Sequence, residues 1–135
     1  NPQKTQFLNA KLSGWDPNQP GSPLPGVGND LVYRDPWGNP YLISMDLNYD
    51  GQCSDAYYSL EKVSQNPPVP APYTQTGFNG LLNPNASASD NYLFHGTVMV
   101  WSMGPDGKYD AVGASGNGVP PNAGFNKDNI LSWQQ

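Results

Sequence analysis

Apolar positions along this chain fall into short runs separated by turn residues, with no long periodic stretch. The most regular run is "YLFHGTVMVWSM", residues 92 to 103, where Thr97, Val98, Val100 and Trp101 suit a pleated, half-buried surface between Asp90-Asn91 and "GPDG". It predicts the main strand. Further strands are predicted at "LVYR" (31 to 34) and "PYLISMD" (40 to 46), both bounded by turn residues. "DAYYSLEKV" (55 to 63) is aromatic and fits either a strand or a helical turn. Residues 3 to 11, "QKTQFLNAK", have helix-friendly composition and read as the end of a helix, without a clear cap. Near the C-terminus, "NKDNILSW" predicts one short turn beginning near Asp128 or Asn129, with Trp133 closing onto the body.

Between these runs lie two irregular regions. In "LSGWDPNQPGSPLPGVGND", Pro and Gly recur too often for a regular element to survive. In "SQNPPVPAPYTQTGFNGLLNPNASASD", the proline cluster favours an extended, polyproline-like path. No internal repeat is evident.

Composition sharpens this picture. A chain of 135 residues supports one compact domain with a modest core, and a division would leave each part little apolar surface to bury. Residues 1 to 135 are therefore expected to form a single domain. Glycine and proline number 15 each, roughly twice their usual combined share of about 12%. Four Trp and eight Tyr supply surface to bury and argue for a folded, loop-rich chain. Acidic residues outnumber basic ones, 11 to 6, which leaves too little Lys and Arg to match a phosphate backbone, so no nucleic-acid partner is expected. Cys53 is the only cysteine and excludes an internal disulfide. Abundant Asn, Gly, Pro, Ser and aromatics lean towards an extracellular setting. No apolar run approaches the roughly 18 residues of a membrane span, and the sequence as given reads as soluble. It opens at "NPQKTQFLNAKL" without an initiator Met, and a trimmed or processed form of something longer is expected.

Candidate chemistry begins at "DLNYDGQCSD", residues 46 to 55. Asp46, Asn48, Asp50 and Gly51 match the start of the calcium-loop pattern D-x-D/N-x-D/N-G, in which alternate oxygens point at one centre and glycine makes the sharp turn. Hard oxygen ligands without a His or thiolate cluster suit Ca2+ better than a transition metal. The twelfth position is Tyr57 where a helix-loop-helix calcium site has a bidentate Glu, and Asp55 is a candidate late ligand. The same residues also make an ordinary polar turn between strands. A second acidic turn, "MGPDGKYDAVG", carries Asp106 and Asp110, with Asp128 returning from the tail. Residues 111 to 126 contain almost nothing apolar, and a divalent cation on these carboxylates would tie the ends of that loop together.

Three motifs in order, "DPWGNPY" (35 to 41), "VWSMGPDGK" (100 to 108) and "DNILSW" (128 to 133), resemble the ectodomain of the major pseudopilin of type II secretion systems and related pilin-like proteins. The resemblance covers most of residues 31 to 133. It implies a lollipop shape, a long N-terminal helix packed against a small antiparallel sheet, with residues 3 to 11 as the stretch just after the missing hydrophobic part. It also implies calcium in the loop after the last main strand, held by the Met103 carbonyl and the side chains of Asp106 and Asp128. This chain departs from the family pattern. Its loop from Lys108 to Asn126 is longer, adding Asp110 as a candidate ligand, residues 64 to 91 have no counterpart, and the loop of Asp46, Asn48 and Asp50 is extra.

Other function classes weigh less. The single histidine, His95, lies in the main strand, and no matched acid and base accompany it, so no enzyme is expected. A calcium-stabilised extracellular carbohydrate- or surface-binding module is the alternative, with Trp15, Trp37, Tyr33, Tyr41, Tyr57 and Tyr58 as aromatic platforms. Against it, Trp37 and Trp133 occupy positions that look like packing anchors in the pseudopilin family.

The expectation is thus an α+β, pilin-like domain, with an N-terminal helix remnant on a small antiparallel sheet of about three or four strands and long loops. Its role would be structural, as a subunit of a type II secretion pseudopilus or type IV pilus-like filament built with other pilin-like subunits. It would be periplasmic or at the cell surface, anchored to the inner membrane through the missing helix, and stabilised by Ca2+.

Overall fold

The computed structural model describes residues 9–66, 76–85, 87–110 and 120–134. Expectations for residues 3–8, for the core of the proline cluster at 67–75, and for 111–119 lie outside the described residues. Two compact units divide between Tyr41 and Leu42.

The smaller unit is built on a two-stranded antiparallel ladder, β1 (Gly26–Val27) and β2 (Tyr33–Arg34). Residues 9–11 are not helical, and Leu12 makes a parallel bridge to Val27. Gly26 has a φ of 103°, and a Cβ there would collide with the Lys11 carbonyl oxygen, so only glycine permits this approach. The strand predicted at 31 to 34 is shortened because Leu31 takes a φ of 62° in the turn between the strands. Asp30 sets that turn: one carboxylate oxygen accepts from the Val32 N–H at 3.2 Å, and the group pairs with Arg34 at 2.5 Å. The Arg34 guanidinium in turn covers the Trp15 ring, 4.4 Å from its centroid. In "DPWGN", buried Asp35 accepts from the N–H groups of Trp37 and Asn39 at 2.9 and 2.8 Å, closing a tight loop that turns the Trp37 ring outward. Trp37 is 49% exposed and is no packing anchor.

The larger unit centres on a three-stranded antiparallel sheet in the order β3 (Leu42–Met45), β4 (Val98–Ser102), β5 (Ile130–Leu131). Register pairs Leu42 with Trp101, Ile43 with Val100 and Met45 with Val98, while Ser102 faces Ile130. With side chains alternating along β4, Met99 and Trp101 enter the core. Val98 belongs to the opposite face with Ile43 and Met45, and these three side chains stay exposed. The core gathers Cys53, Tyr58, Val63, Leu81, Tyr92, Met99, Trp101 and Trp133. Tyr58 meets both Trp101 and Trp133 edge-on, with centroids 5.2 Å apart in each pair.

Residues 55 to 63 resolve as a turn followed by a single helical turn, α1 (Glu61–Ser64). Leu60 at its N-cap has no side-chain acceptor, and Asp90 supplies one from across the chain by accepting from the Glu61 N–H at 2.9 Å. The helix ends where Gln65 turns extended to bridge Gly77. Of the run 92 to 103, only Val98–Ser102 is strand; Leu93 and Phe94 instead bridge to Leu82 and Cys53. The described residues therefore make a small mixed fold, with two antiparallel sheets and one short helix, loosely α+β. None of their helices is long and apolar enough to cross a membrane.

Candidate metal sites

The loop after β3 is closed by its own carboxylates. Asp46 accepts from the N–H groups of Asn48 at 3.2 Å and Tyr49 at 2.7 Å with one oxygen, and from Gly51 at 2.8 Å with the other. Asp50 accepts from the Gln52 N–H at 2.9 Å and from the Asn48 amide at 2.8 Å. Gly51 at a φ of 77° and Tyr49 at 61° let the chain curl around Asp46. Asp46, Asn48 and Asp50 are thus brought together in one surface loop, where all four carboxylate oxygens already act as turn acceptors. Asp55 is not a late ligand of this loop. It is buried, with one oxygen accepting from the N–H groups of Tyr57 at 2.9 Å and Tyr58 at 3.0 Å. Its other oxygen accepts from the Ser44 hydroxyl at 2.8 Å and the Trp101 indole at 3.1 Å.

Further along, β4 runs into a 3-10 turn, Gly104–Asp106, that lies against Asp128. Gly104 has a φ of 64°, and a Cβ there would run into the Asp128 carbonyl oxygen, so the close approach requires glycine. The segment of Met103 and Asp106 is in this way placed beside Asp128. Asp106 is exposed and accepts from the Lys108 N–H at 2.9 Å. Asp128 is half-buried, and its Oδ1 is enclosed without a hydrogen-bond partner among the described residues. An enclosed carboxylate oxygen without a donor is the type of group that a water or a cation satisfies.

Asp110 acts differently, as a clamp. Its N–H donates to Asn126 Oδ1 at 3.0 Å, its carboxylate accepts from the Phe125 N–H at 2.6 Å, and its carbonyl accepts from the Tyr57 hydroxyl at 2.6 Å. The Tyr57 hydroxyl also lies 3.0 Å from Asn126 Oδ1. Burial pushes the Tyr57 phenol up to about 12, against the lowering effect of the Asn126 contact. Burial raises Tyr58 as well, and its hydroxyl accepts from Asn129 Nδ2 at 2.9 Å.

Among the described residues, no group of three or more His, Cys, Asp or Glu is placed to hold a metal ion. The implied C-terminal set counts the Met103 carbonyl with two carboxylates, so it does not depend on a carboxylate triad. Sequence reasoning missed the amide network of Asn126 and Asn129 beneath Tyr57 and Tyr58; the only hint is that two asparagines three apart precede the strand-forming "IL". No family model, curated protein or solved structure matches the chain.

Proposed function

We propose that this chain is a structural subunit of a type II secretion pseudopilus or a type IV pilus-like filament, working in the periplasm or at the cell surface. The observation that carries the reading is the outer face of the β3-β4-β5 sheet. Ile43 is 58% exposed, Met45 60%, Val98 41% and Ile130 47%, all contributed by strands whose other face is the core. An antiparallel sheet with one face in the core ordinarily turns polar residues outward, and an apolar outer face marks a surface that takes a partner. The pilin-like arrangement supplies that partner as an N-terminal helix laid across the sheet, the same helix that anchors the subunit in the inner membrane and joins it to its neighbours. Burying each such side chain fully is worth about 1.5 to 3 kcal/mol.

Two further features support the reading. The Gly104–Asp106 turn packs on Asp128, which joins the two C-terminal motifs that the resemblance couples through calcium. Trp101 and Trp133 are core residues and Trp15 is covered by Arg34, which leaves Trp37 as the one open indole, short of the row of platforms that a surface-binding module needs. Calcium then serves assembly by holding the C-terminal loop in shape.

The test is assembly in a cell. The chain, expressed behind an apolar pilin helix in a bacterium with a type II secretion system, is expected in sheared filaments that an antibody to the domain decorates in electron micrographs. Ile43→Asp combined with Val98→Asp should abolish decoration. A chain found only as free periplasmic protein beside undecorated filaments would remove the proposal.

A further inference from the structure

Beside β5 the larger unit carries a cleft of about 220 Å³, lined by Phe78, Asn79, Asn122, Lys127, Asn129 and Gln134 together with Pro121 and Leu131. Its lining offers four carboxamides, one aromatic ring, one cation and no carboxylate among the described residues.

Asn129 is held in a fixed orientation in the wall of the cleft. It is 5% exposed, and its Nδ2 donates to the Tyr58 hydroxyl at 2.9 Å, with Asn126 Oδ1 at 3.5 Å on the same side. Two oxygen neighbours on the nitrogen fix which way the amide is turned. Its Oδ1 is consequently buried and has no hydrogen-bond partner among the described residues. Asn79, at a φ of 55°, holds a left-handed conformation that costs backbone energy for a residue other than glycine.

We propose that this cleft binds a single sugar ring of a carbohydrate. A hydroxyl both donates and accepts, and so does a carboxamide, so neighbouring hydroxyls on a ring can pair with several amides at once. The Phe78 ring offers an apolar face to the C–H side of the sugar. An apolar ligand would leave the amides unpaired, and a cation would meet Lys127. The volume lies below the roughly 300 to 1,000 Å³ of drug-sized pockets, which suits one ring rather than a chain. The inference is independent of filament assembly, since it concerns the isolated domain.

The experiment is a nitrogen–proton correlation titration of the whole chain with methyl glucoside, methyl galactoside and N-acetylglucosamine, using glycerol and acetate as controls. At least one sugar should give saturable shifts of the Asn129 side-chain NH2 and the Gln134 amide. Affinity should fall tenfold or more in Phe78→Ala and in the exposed Asn122→Ala, with unchanged spectra elsewhere. Asn129→Ala is avoided because it also removes the contact to Tyr58. Unsaturable shifts matched by glycerol, binding of acetate in place of sugars, or no response at Asn129 to any of the sugars would each overturn the proposal.

Discussion

The indole N–H of Trp101 donates to a carboxylate oxygen of Asp55 at 3.1 Å in the interior of the larger unit, binding the central strand to the turn that precedes α1. Four donors converge on this one carboxylate. Truncation strands all of them in a buried place. Asp55→Ala should cost at least about 3 kcal/mol, since hydrogen bonds to a charged acceptor are worth roughly 1.5 to 3 kcal/mol and unpaired buried donors add a penalty. Asp55→Asn should cost less but still unfold earlier, because its NH2 must face one of the donors. Urea unfolding followed by tryptophan fluorescence measures both, and a loss under about 1 kcal/mol for the alanine variant would mean that the network contributes little.

Calcium should raise the melting temperature of the purified chain relative to chelator. Free ion at a hundredfold over its dissociation constant stabilises by about 2.7 kcal/mol, which at roughly 4 °C per kcal/mol is a shift of about 10 °C. Asp106→Ala and Asp128→Ala should abolish the shift, and Asp50→Ala should leave it. Were only Asp50→Ala to abolish it, the ion would belong to the self-closed loop after β3.

Acid should loosen the turn between β1 and β2. The Arg34 side chain bonded to Asp30 lowers its carboxyl from an ordinary 3.8 to about 2. With the folded value depressed, the contribution is complete above 3.8 and disappears as pH falls towards about 2. Carbon-detected titration of the Asp30 carboxyl should give that low midpoint, and Arg34→Gln should return it to the ordinary range. A native midpoint near 3.8 would show that the pair does not persist in solution.

Alkali should reveal the buried phenols. Burial raises Tyr57 from 10.0 to about 12, and raises Tyr58 too. A raised folded-state value favours the neutral phenol, so the contribution is present below 10.0 and is lost as pH rises towards about 12. Phenolate absorbance should show a late-ionising group of tyrosines that includes Tyr57 and Tyr58 and titrates together with unfolding. Simple titration of all eight near their ordinary value would contradict the enclosed Tyr57 and Tyr58 hydroxyls.

Local patterning revealed the sheet better than it revealed the sites. Alternation around Val98 to Trp101 located β4, and the apolar run "LISM" located β3, because a two-residue period survives in even a short strand. "DAYYSLEKV" stayed ambiguous for a physical reason: its conformation is set by Asp55 acting as a turn acceptor and by Asp90 capping α1 from afar, neither of which leaves a periodic trace. The shortened strand at 31 to 34 reflects the turn at Leu31, which its apolar side chain concealed. Among the site residues, the Asp46 loop was legible as a turn because its bonds are local. Asp55, which reads in sequence like one more loop acid, could not be known as the centre of a buried network, since Ser44 and Trp101 reach it from 11 and 46 positions away.

The clasp formed by Tyr57, Asp110, Phe125 and Asn126 bears on the length of the stretch it closes. With its neck fastened, the stretch between Asp110 and Phe125 can lengthen or shrink at little expense, since each doubling of a loop adds only about 0.6 kcal/mol of closure entropy. A change of length there leaves the bonds of the clasp itself in place.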